Sequence, residues 1–361
     1  MKIPMQHLDS LYIFIMAGGG GERFWPMSRC RLPKHLLRLF GKCSLLERTV
    51  ARIRGIIPSE RTFILTSQTQ LEAVRSQLPS FRSSHVIAEP VKRDTAPAAA
   101  LATAIAHSKN PNTIVALLPA DAMIHSVGTF RRQLIDAVTV AARQPCIVVF
   151  SVLPTHPATG LGYLELGPQL PHSTPNGSAV YCVQRFIEKP DRQTAQAYLR
   201  QGSFGWNAGI CIWKSECFLQ ECMKSCQPLA DFILQFPAGN PNSYISEYFS
   251  RLPKNSLDYA ILEQASSVLV AIRSQFDWDD MGTWTSLTKY LGRDTQENSF
   301  QGPTALFNSR ENIVIASHRT VALCGIQNLI VVETPDAILI CHRDSVQDVK
   351  KVLPLLSDSL R

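Results

Sequence analysis

The sequence predicts an α/β protein with a doubly wound, mostly parallel sheet and a small C-terminal β domain. Apolar, strand-like runs alternate with segments of helical spacing between Leu11 and Val152, which is typical of a parallel sheet covered by helices. One of these runs, 113–118, is continuously apolar from Ile114 to Leu118, as in a strand buried on both faces. From about Asp294 onward, short β-prone runs recur at intervals of about ten residues, which predicts stacked strands in a β-helix-like or sandwich arrangement. We therefore expect two domains, 1–292 and 293–361.

The elements of the first domain follow from local patterns. Ser44 and Glu47 have the spacing of a capping box at the start of a helix. Pro97 suits the first turn of an alanine-rich helix. The predicted strands are 11–17, 61–67, 85–89, 113–118 and 146–152, and the predicted helices are 44–53, 70–77, the run behind Pro97, 130–143 and a closing helix over 345–356.

A run of glycines stands where the first strand ends. Glycine has no Cβ and accepts positive φ, so successive backbone N–H groups can converge on one anion. Arg23 follows directly, and Lys34 stands eleven residues after it. A P-loop would close on Gly-Lys-Ser/Thr, and the dinucleotide fingerprint needs a further glycine, so neither motif fits. The stretch predicts a polyphosphate site of another kind.

Composition narrows the class of protein. Of 361 residues, 45% are hydrophobic and 18% charged, which is ordinary for a globular protein, and no apolar run approaches the roughly 18 residues of a membrane span. The ten cysteines include no CxxC pair, so we expect free thiols and a cytoplasmic location. The net charge of +7 comes without a lysine/arginine tract. It suits small anionic substrates at least as well as nucleic acid, for which no reading motif is present.

The glycine-rich stretch, AGGGGERFWPMSR followed by PKHLL, resembles the signature of the sugar nucleotidyltransferases. It is similar in particular to the mannose-1-phosphate guanylyltransferase family, whose further motifs occur here in family order. The resemblance implies a Rossmann-like, GT-A-like fold and transfer of GMP from GTP to α-D-mannose 1-phosphate, giving GDP-mannose and pyrophosphate. It also implies a homodimer associating through the C-terminal region. Longer family members carry a phosphomannose isomerase domain, and we expect this chain to be a short form without it.

That reaction needs no general base, because the attacking sugar phosphate is already ionised. The site must hold two anions in line and offset the charge that develops on the phosphoryl oxygens. The resemblance makes Arg23 and Lys34 the catalytic cations and Glu89 the acceptor of the guanine N–H groups. Asp94 stands where the family commonly has asparagine. The expected nucleotide-binding residues are Ala17, Gly18, Gly19, Gly20, Gly21, Glu89 and Thr95.

Two aspartates are candidate magnesium ligands and catalytic residues. Asp121 follows a buried strand, and the carboxyl ends of such strands are where open α/β sheets bind ligands. Asp280 matches the aspartate of the family motif W-x-D-x-G-x-W. Asp277 and Asp279 are off the motif register and are expected to be solvated. Ala122 stands where the family usually has histidine, which leaves the role of that histidine open.

The sugar-phosphate half is expected at three motifs. Glu188 offers a carboxylate to sugar hydroxyls, Lys189 an ammonium to the sugar phosphate, and Asn207 an amide to the ring. Gly162 lets the backbone approach the sugar closely. Two alternatives stay open: a nucleotidyltransferase for another sugar 1-phosphate (heptose, fucose or glucose) or another base, and a catalytically silent sugar-nucleotide-binding regulator. The joint presence of the predicted cations and carboxylates argues against the second.

Overall fold

A nine-stranded sheet forms the centre of the protein in the computed structural model, which describes residues 5–171, 173–265 and 268–361. Seven strands run in one direction, and only β7 and β8 run in the other, so the predicted doubly wound, mostly parallel sheet is confirmed. The spatial order is β3-β2-β1-β4-β8-β5-β9-β7-β6. The strands are β1 (Leu11–Ala17), β2 (Thr62–Ser67), β3 (Val86–Glu89), β4 (Ile114–Pro119), β5 (Ile147–Val152), β6 (Tyr163–Leu170), β7 (Val180–Ile187), β8 (Phe204–Lys214) and β9 (Leu269–Arg273).

Helices cover both faces of this sheet. Their bounds are α1 (Leu45–Ile53), α2 (Leu71–Gln77), α3 (Thr95–His107), α4 (Val127–Arg143), α5 (Arg192–Gln201), α6 (Ser215–Ser225), α7 (Gln227–Leu234), α8 (Asn242–Tyr248) and, near the C-terminus, α9 (Val349–Val352). The predicted capping box is present: Ser44 Oγ accepts from Glu47 N at 3.2 Å, and Glu47 Oε2 accepts from Ser44 N at 2.7 Å. No helix in the described ranges is long and apolar enough to cross a membrane.

Successive side chains of β1 point to opposite faces of the sheet, so they belong to two separate parts of the core. Ile13 and Ile15 join a cluster with α1, α2 and α4, whereas Phe14 joins a cluster with α3, α6 and α7. The alanine-rich α3 is buried from Ala96 to Ala106, because its small side chains allow neighbours to approach on every side. Packing on both faces fixes the carboxyl ends of β1 and β4 rigidly, and the candidate site lies there.

The C-terminal region is a coil of short strands. Parallel pairs link β11 to β13 to β15, and β12 to β14, so successive strands stack in the β-helix-like alternative of the prediction. An internal asparagine ladder supports the turns: Asn298 Oδ1 accepts from Asn312 N at 3.0 Å, and Asn312 Oδ1 accepts from Leu329 N at 2.9 Å. The strands are β10 (Gly292–Arg293), β11 (Ser299–Gln301), β12 (Thr304–Phe307), β13 (Ile313–Ala316), β14 (Val321–Cys324), β15 (Leu329–Glu333) and β16 (Ile338–His342).

The predicted closing helix over 345–356 is wrong as a continuous element. A 3₁₀ turn at Arg343–Asp348 leads into the single α-turn α9, and a second 3₁₀ turn follows at Leu353–Leu355. Pro354 supplies no backbone N–H, so it cannot continue an α-helix that began upstream. The domain division at 292/293 stays a prediction, and β10, which belongs to the C-terminal sheet, begins at Gly292.

The C-terminal region packs against the loop that follows the glycines. Phe24 and Trp25 share one buried cluster with Trp284, Ile315 and Val349. The Trp25 indole Nε1 donates to the carbonyl oxygen of Leu360 at 2.9 Å. The segment carrying the predicted phosphate site is therefore held by both parts of the chain.

Candidate active site

The glycine run makes its turn directly after β1. Gly21 is in the left-handed region, with φ 63° and ψ 27°. A Cβ at this position would lie 2.4 Å from the Cβ of Lys34 and 2.5 Å from its backbone nitrogen. Both the conformation and the close approach require glycine here. Gly21 therefore sets the distance between the glycine loop and the segment that carries Lys34.

Two cavities meet at this loop. The first, of about 670 Å³, contains the predicted catalytic centre and most of the predicted sugar site. The second, of about 500 Å³, runs from the glycines to the end of β3. Both are lined by Gly20, Glu22, Lys92 and Lys350. The residues of the first include Gly21, Arg23, Lys34, Asp121, Gly162, Glu188, Asn207 and Asp280, and those of the second include Gly18 and Glu89.

Lys34 joins the two aspartates. Its buried ammonium lies 2.6 Å from Asp121 Oδ2 and donates to the backbone oxygens of Asp280 and Met281, each at 3.0 Å. A lysine ammonium has three N–H donors, so all three have protein acceptors. Burial raises the pKa of Asp121, but the Lys34 charge and hydrogen bond outweigh it and hold the pKa below its usual value. Lys34 thus positions the carboxylates in addition to contributing charge to the cleft.

Asp121 and Asp280 fit a magnesium site. Both line the first cavity, and carboxylate oxygen is the ligand type that Mg²⁺ prefers. Burial raises the pKa of Asp280, and the like charges of Asp279 and Asp121 add to this, while Lys34 opposes it. The described ranges contain no cluster of three His, Cys, Asp or Glu side chains that could hold a metal. Two carboxylates completed by substrate phosphates and water are the usual protein contribution to Mg²⁺ binding.

Asp277 and Asp279, the two other aspartates of this segment, were both expected to be solvated, and one of them is not. Asp279 was expected to be solvated, but it is buried, with its Oδ2 2.8 Å from Lys289 Nζ and its Oδ1 accepting from Met281 N. Its carboxylate therefore fixes the turn that carries Asp280. Asp277 is exposed, and its oxygens accept from the backbone N–H groups of His125 and Ser126 before α4.

The position after Asp121 is filled by the small, buried Ala122, which brings no imidazole to the cleft. A histidine does lie nearby: His35, which follows Lys34, is buried and is close enough to Asp121 to feel its charge. Burial lowers the pKa of His35 to about 4, so this imidazole is neutral at physiological pH.

Arg23 reaches into the cleft from the glycine loop. Its Nη1 donates to the carbonyl oxygen of Gly282 at 3.3 Å, and its other donors are available to a ligand. Gly282 itself is confined, because a Cβ there would lie 2.5 Å from Asp280 Oδ2. The turn around Gly282 therefore holds the Arg23 guanidinium, through this hydrogen bond, close to the Asp280 carboxylate.

The second cavity ends at Glu89. This side chain is 7% exposed, and burial, with the charge of Asp94 adding to it, raises its pKa to about 8. Asp94, at φ 71°, caps α3 by accepting from Thr95 N at 2.8 Å, and it lines the first cavity. Thr95 Oγ1 accepts from Leu257 N at 2.8 Å. Thr95 is therefore directed at the segment around Leu257, and it does not line either cavity of the described structure.

The remaining predicted backbone positions, Ala17 and Gly19, line neither of the two described cavities. Ala17 O accepts from Thr66 Oγ1 at 2.8 Å, and Gly19 O accepts from Gln70 Nε2 at 3.4 Å. These bonds tie the start of the glycine loop to β2 and the turn behind it.

Three of the four predicted sugar-phosphate residues, Gly162, Glu188 and Asn207, line the other end of the first cavity, and Lys189 adjoins it through Glu188 without lining it. A Cβ on Gly162 would lie 2.6 Å from Glu188 Oε2, so glycine allows the carboxylate to enter the cleft. The ammonium of Lys189 contacts Glu188 Oε1. Burial lowers the pKa of Lys189, but the contact with Glu188 outweighs it and raises the pKa overall. Asn207 Oδ1 accepts from Gly209 N at 3.1 Å, which fixes the amide orientation.

Asp258 also lies at this end of the first cavity, and it was not predicted from the sequence as a site residue. It lines the first cavity, and its Oδ1 accepts from Asn207 Nδ2 at 3.1 Å. Burial raises its pKa to about 7, and the Glu188 charge adds to this effect. It begins a π-helical turn, Asp258–Leu262, a feature often found at functional sites. The available signal was an aspartate directly before the run YAIL.

Comparison with known proteins gives concordant findings. A family model described as nucleotidyl transferase matches residues 13–297, and one described as a MannoseP isomerase/GMP-like beta-helix domain matches 304–356. Mannose-1-phosphate guanylyltransferases of Klebsiella pneumoniae and Escherichia coli are each 35% identical over 362 residues, covering 96% of this chain and 74% of the relative. A crystal structure from Thermus thermophilus, described as a mannose-1-phosphate geranyltransferase, has a TM-score of 0.85 and 30% identity over 96% of this chain and 99% of its own.

Proposed function

The chain belongs to the nucleotidyl transferase family, among the mannose-1-phosphate guanylyltransferases, and from this premise we propose that it transfers GMP from GTP to α-D-mannose 1-phosphate. The products are GDP-mannose and pyrophosphate. One observation carries the proposal: a cavity ending in a carboxylate suited to guanine joins, at the glycine loop, a cleft that holds the cations, aspartates and sugar-site residues.

In this mechanism an oxygen of the sugar phosphate forms a bond to the α-phosphorus of the nucleotide. The bond between the α-phosphorus and the oxygen that bridges to the β-phosphate breaks, and pyrophosphate leaves. Backbone N–H groups of the glycine loop bind the phosphates, and the Arg23 guanidinium takes the leaving pyrophosphate through two oxygens. Lys34 keeps Asp121 and Asp280 on one side of the cleft. These two carboxylates would hold Mg²⁺, which neutralises charge on the phosphate oxygens when bound.

The acceptor sugar lies, in this proposal, between Gly162 and Asp258. Glu188 and Asp258 accept hydrogen bonds from sugar hydroxyls, and the Asn207 amide is oriented by its bonds to Asp258 and Gly209. Lys189 binds the sugar phosphate once it releases Glu188.

Replacing Lys189 by alanine is expected to raise the KM for mannose 1-phosphate about 10- to 100-fold, because a charged hydrogen bond to the phosphate is lost. Steady-state kinetics with each substrate varied in turn measures this effect. Lys224→Ala is the matched control, since Lys224 is also an exposed lysine paired with a glutamate, Glu221, but lies on α6 away from the cleft. A rise in the nucleotide KM with an unchanged sugar KM would reverse the assignment of the two half-sites.

Replacing Glu89 by glutamine is expected to reduce the preference for GTP over ATP about 10- to 100-fold. Guanine N1–H and N2–H₂ are two adjacent donors that the ionised Glu89 carboxylate accepts together, and these hydrogen bonds favour the ionised form although burial raises the pKa of the ligand-free side chain. The glutamine amide offers one acceptor and an opposing NH₂. The ratio of kcat/KM for the two nucleotides measures the effect. A preserved ratio would place base recognition elsewhere.

The same variant gives a pH test in the absence of ligand. The pKa of Glu89 is about 8 in the folded protein against an ordinary 4.5, so between these values the folded state keeps a proton that the unfolded state releases. The resulting stabilisation is complete below about pH 4.5 and is lost as the pH rises through about 8. Wild type should therefore lose free energy of unfolding over this range relative to Glu89→Gln. Parallel pH profiles of the two proteins would contradict a buried, protonated Glu89.

The proposed function is tested by measuring pyrophosphate release for every combination of the four nucleoside triphosphates with mannose, glucose and fucose 1-phosphates. The highest kcat/KM is expected for GTP with mannose 1-phosphate. A higher value for another pair would select one of the alternative acceptors or bases. Binding of sugar nucleotides without any pyrophosphate release would support the silent regulator.

Homodimerisation and a cytoplasmic location also stay predictions. Phe307, Ile338 and Ile340 are apolar and exposed on the strands of the C-terminal coil, although the same domain packs against its own first domain. A second copy of the chain would cover these side chains. Light scattering at micromolar concentration measures the oligomeric state, and a monomeric protein would contradict the predicted homodimer.

A further inference from the structure

One lysine of the C-terminal domain reaches the nucleotide site. Lys350, in α9, lines both cavities, and it is the one residue after Gly282 that lines the first within the described ranges. Its neighbour Val349 is buried in the cluster that contains Phe24 and Trp25. Because Val349 faces the loop after the glycines, α9 carries Lys350 to the junction where the two cavities meet.

Two other lysines near this junction, Lys34 and Lys92, already have carboxylate partners. Lys34 has all three N–H donors on protein oxygens, and its charge is offset by Asp121. Lys92 lies 3.8 Å from Glu22, so its charge is partly offset too. For Lys350, the described residues supply no carboxylate within 4.0 Å. Lys350, with no carboxylate partner among the described residues, thus lines both the predicted base cavity and the catalytic cleft, and a triphosphate that spans the two would pass it.

The position of α9 is fixed from both sides. Besides the buried contact of Val349, the last residues of the described chain bond to the loop after the glycines: Trp25 Nε1 donates to Leu360 O, and Cys30 N donates to Arg361 O at 3.3 Å. Arg361 in turn donates to Pro354 O at 2.8 Å. The segment after α9 therefore packs back against the loop that follows the glycines, and these contacts fix the position of the turn that carries Lys350.

We propose that Lys350 binds the β- and γ-phosphates of the nucleoside triphosphate and the pyrophosphate that leaves, so that the C-terminal domain completes the nucleotide site. The inference rests on the proposed nucleotidyl transfer, and it assigns a substrate contact to the C-terminal domain. An ammonium suits this position, because it is a compact charge with three rotatable donors that can follow the pyrophosphate as it leaves.

The test compares Lys350→Met with Lys351→Met. Both remove one exposed lysine from the same turn and keep a long side chain, but Lys351 is paired with Asp348 at 2.8 Å and lines neither cavity. Lys350→Met is expected to raise the KM for the triphosphate and the inhibition constant for inorganic pyrophosphate about tenfold each, with the sugar-phosphate KM unchanged. Lys351→Met should match wild type, and Lys350→Arg should recover most of the loss.

Thermal unfolding of each variant separates this effect from misfolding. If Lys350→Met keeps both constants within about twofold of wild type, or if Lys351→Met shifts them equally, the proposal is overturned. Calorimetric titration with inorganic pyrophosphate supplies a readout that needs no turnover. An absence of activity in wild type would refute the proposed function, whereas equal pyrophosphate affinity in wild type and Lys350→Met would refute the role of Lys350.

Discussion

Asp280→Asn is expected to lower turnover by at least about a hundredfold while nucleotide affinity changes little. The substitution keeps the shape of the side chain and removes one of two carboxylates, so the expected loss is in charge stabilisation during the reaction, where single groups contribute about 10²–10³ in rate. The structure places this carboxylate in the cleft with Asp121 and Arg23, on a turn held by Lys34. The measurement is kcat at saturating magnesium, together with the Kd of the nucleotide.

Asp277→Asn is the control for that experiment. Asp277 belongs to the same segment and also has a carboxylate in hydrogen bonds, but it is directed at the backbone before α4. We expect it to change stability more than turnover. Equal turnover of Asp280→Asn and wild type at saturating magnesium would remove Asp280 from the metal site. A requirement for divalent metal, tested by chelation and re-addition, belongs to the same prediction.

Gly21→Ala is expected to abolish most of the activity and to destabilise the fold. A left-handed alanine costs about 1–2 kcal/mol, and forcing a methyl group into a packed site costs about 1–3 kcal/mol more. Here the methyl group would meet both the Cβ and the backbone nitrogen of Lys34, and neither is the flexible end of a side chain. Moving Lys34 would also release Asp121 and the turn of Asp280.

The matched control is Gly19→Ala, read by thermal unfolding alone because Gly19 also belongs to the predicted phosphate loop. A Cβ on Gly19 meets no atom within 4 Å, so its stability should stay near that of wild type. Similar unfolding curves for Gly21→Ala and Gly19→Ala would show that the contact with Lys34 relaxes at little cost.

The sequence was sufficient for features that depend on neighbours along the chain. The strand before the glycines, the capping box at Ser44 and the alternation of strands and helices follow from local patterns, and the structure confirms them. The antiparallel placement of β8 between β4 and β5 was not predicted, because a strand-like pattern does not carry its direction or its partners.

Features that depend on residues distant in sequence were missed or misjudged. Asp258 reaches the predicted sugar site only because Asn207, 51 positions away, lies on β8 beside it. Asp279 was expected in solvent, but Lys289 and the turn around Met281 bury it. Lys350 gave no signal in the sequence, since its position depends on how the C-terminal coil docks on the glycine loop. In each case the determining contact is tertiary.

The bonds of Leu360 and Arg361 to Trp25 and Cys30 have a practical consequence for protein engineering. A polypeptide joined directly after Arg361, such as an affinity tag, a fluorescent protein or a second enzyme, would emerge beside the second cavity, which Arg361 itself lines. A bulky addition there would obstruct the mouth of this cavity, and a flexible linker would relieve the obstruction.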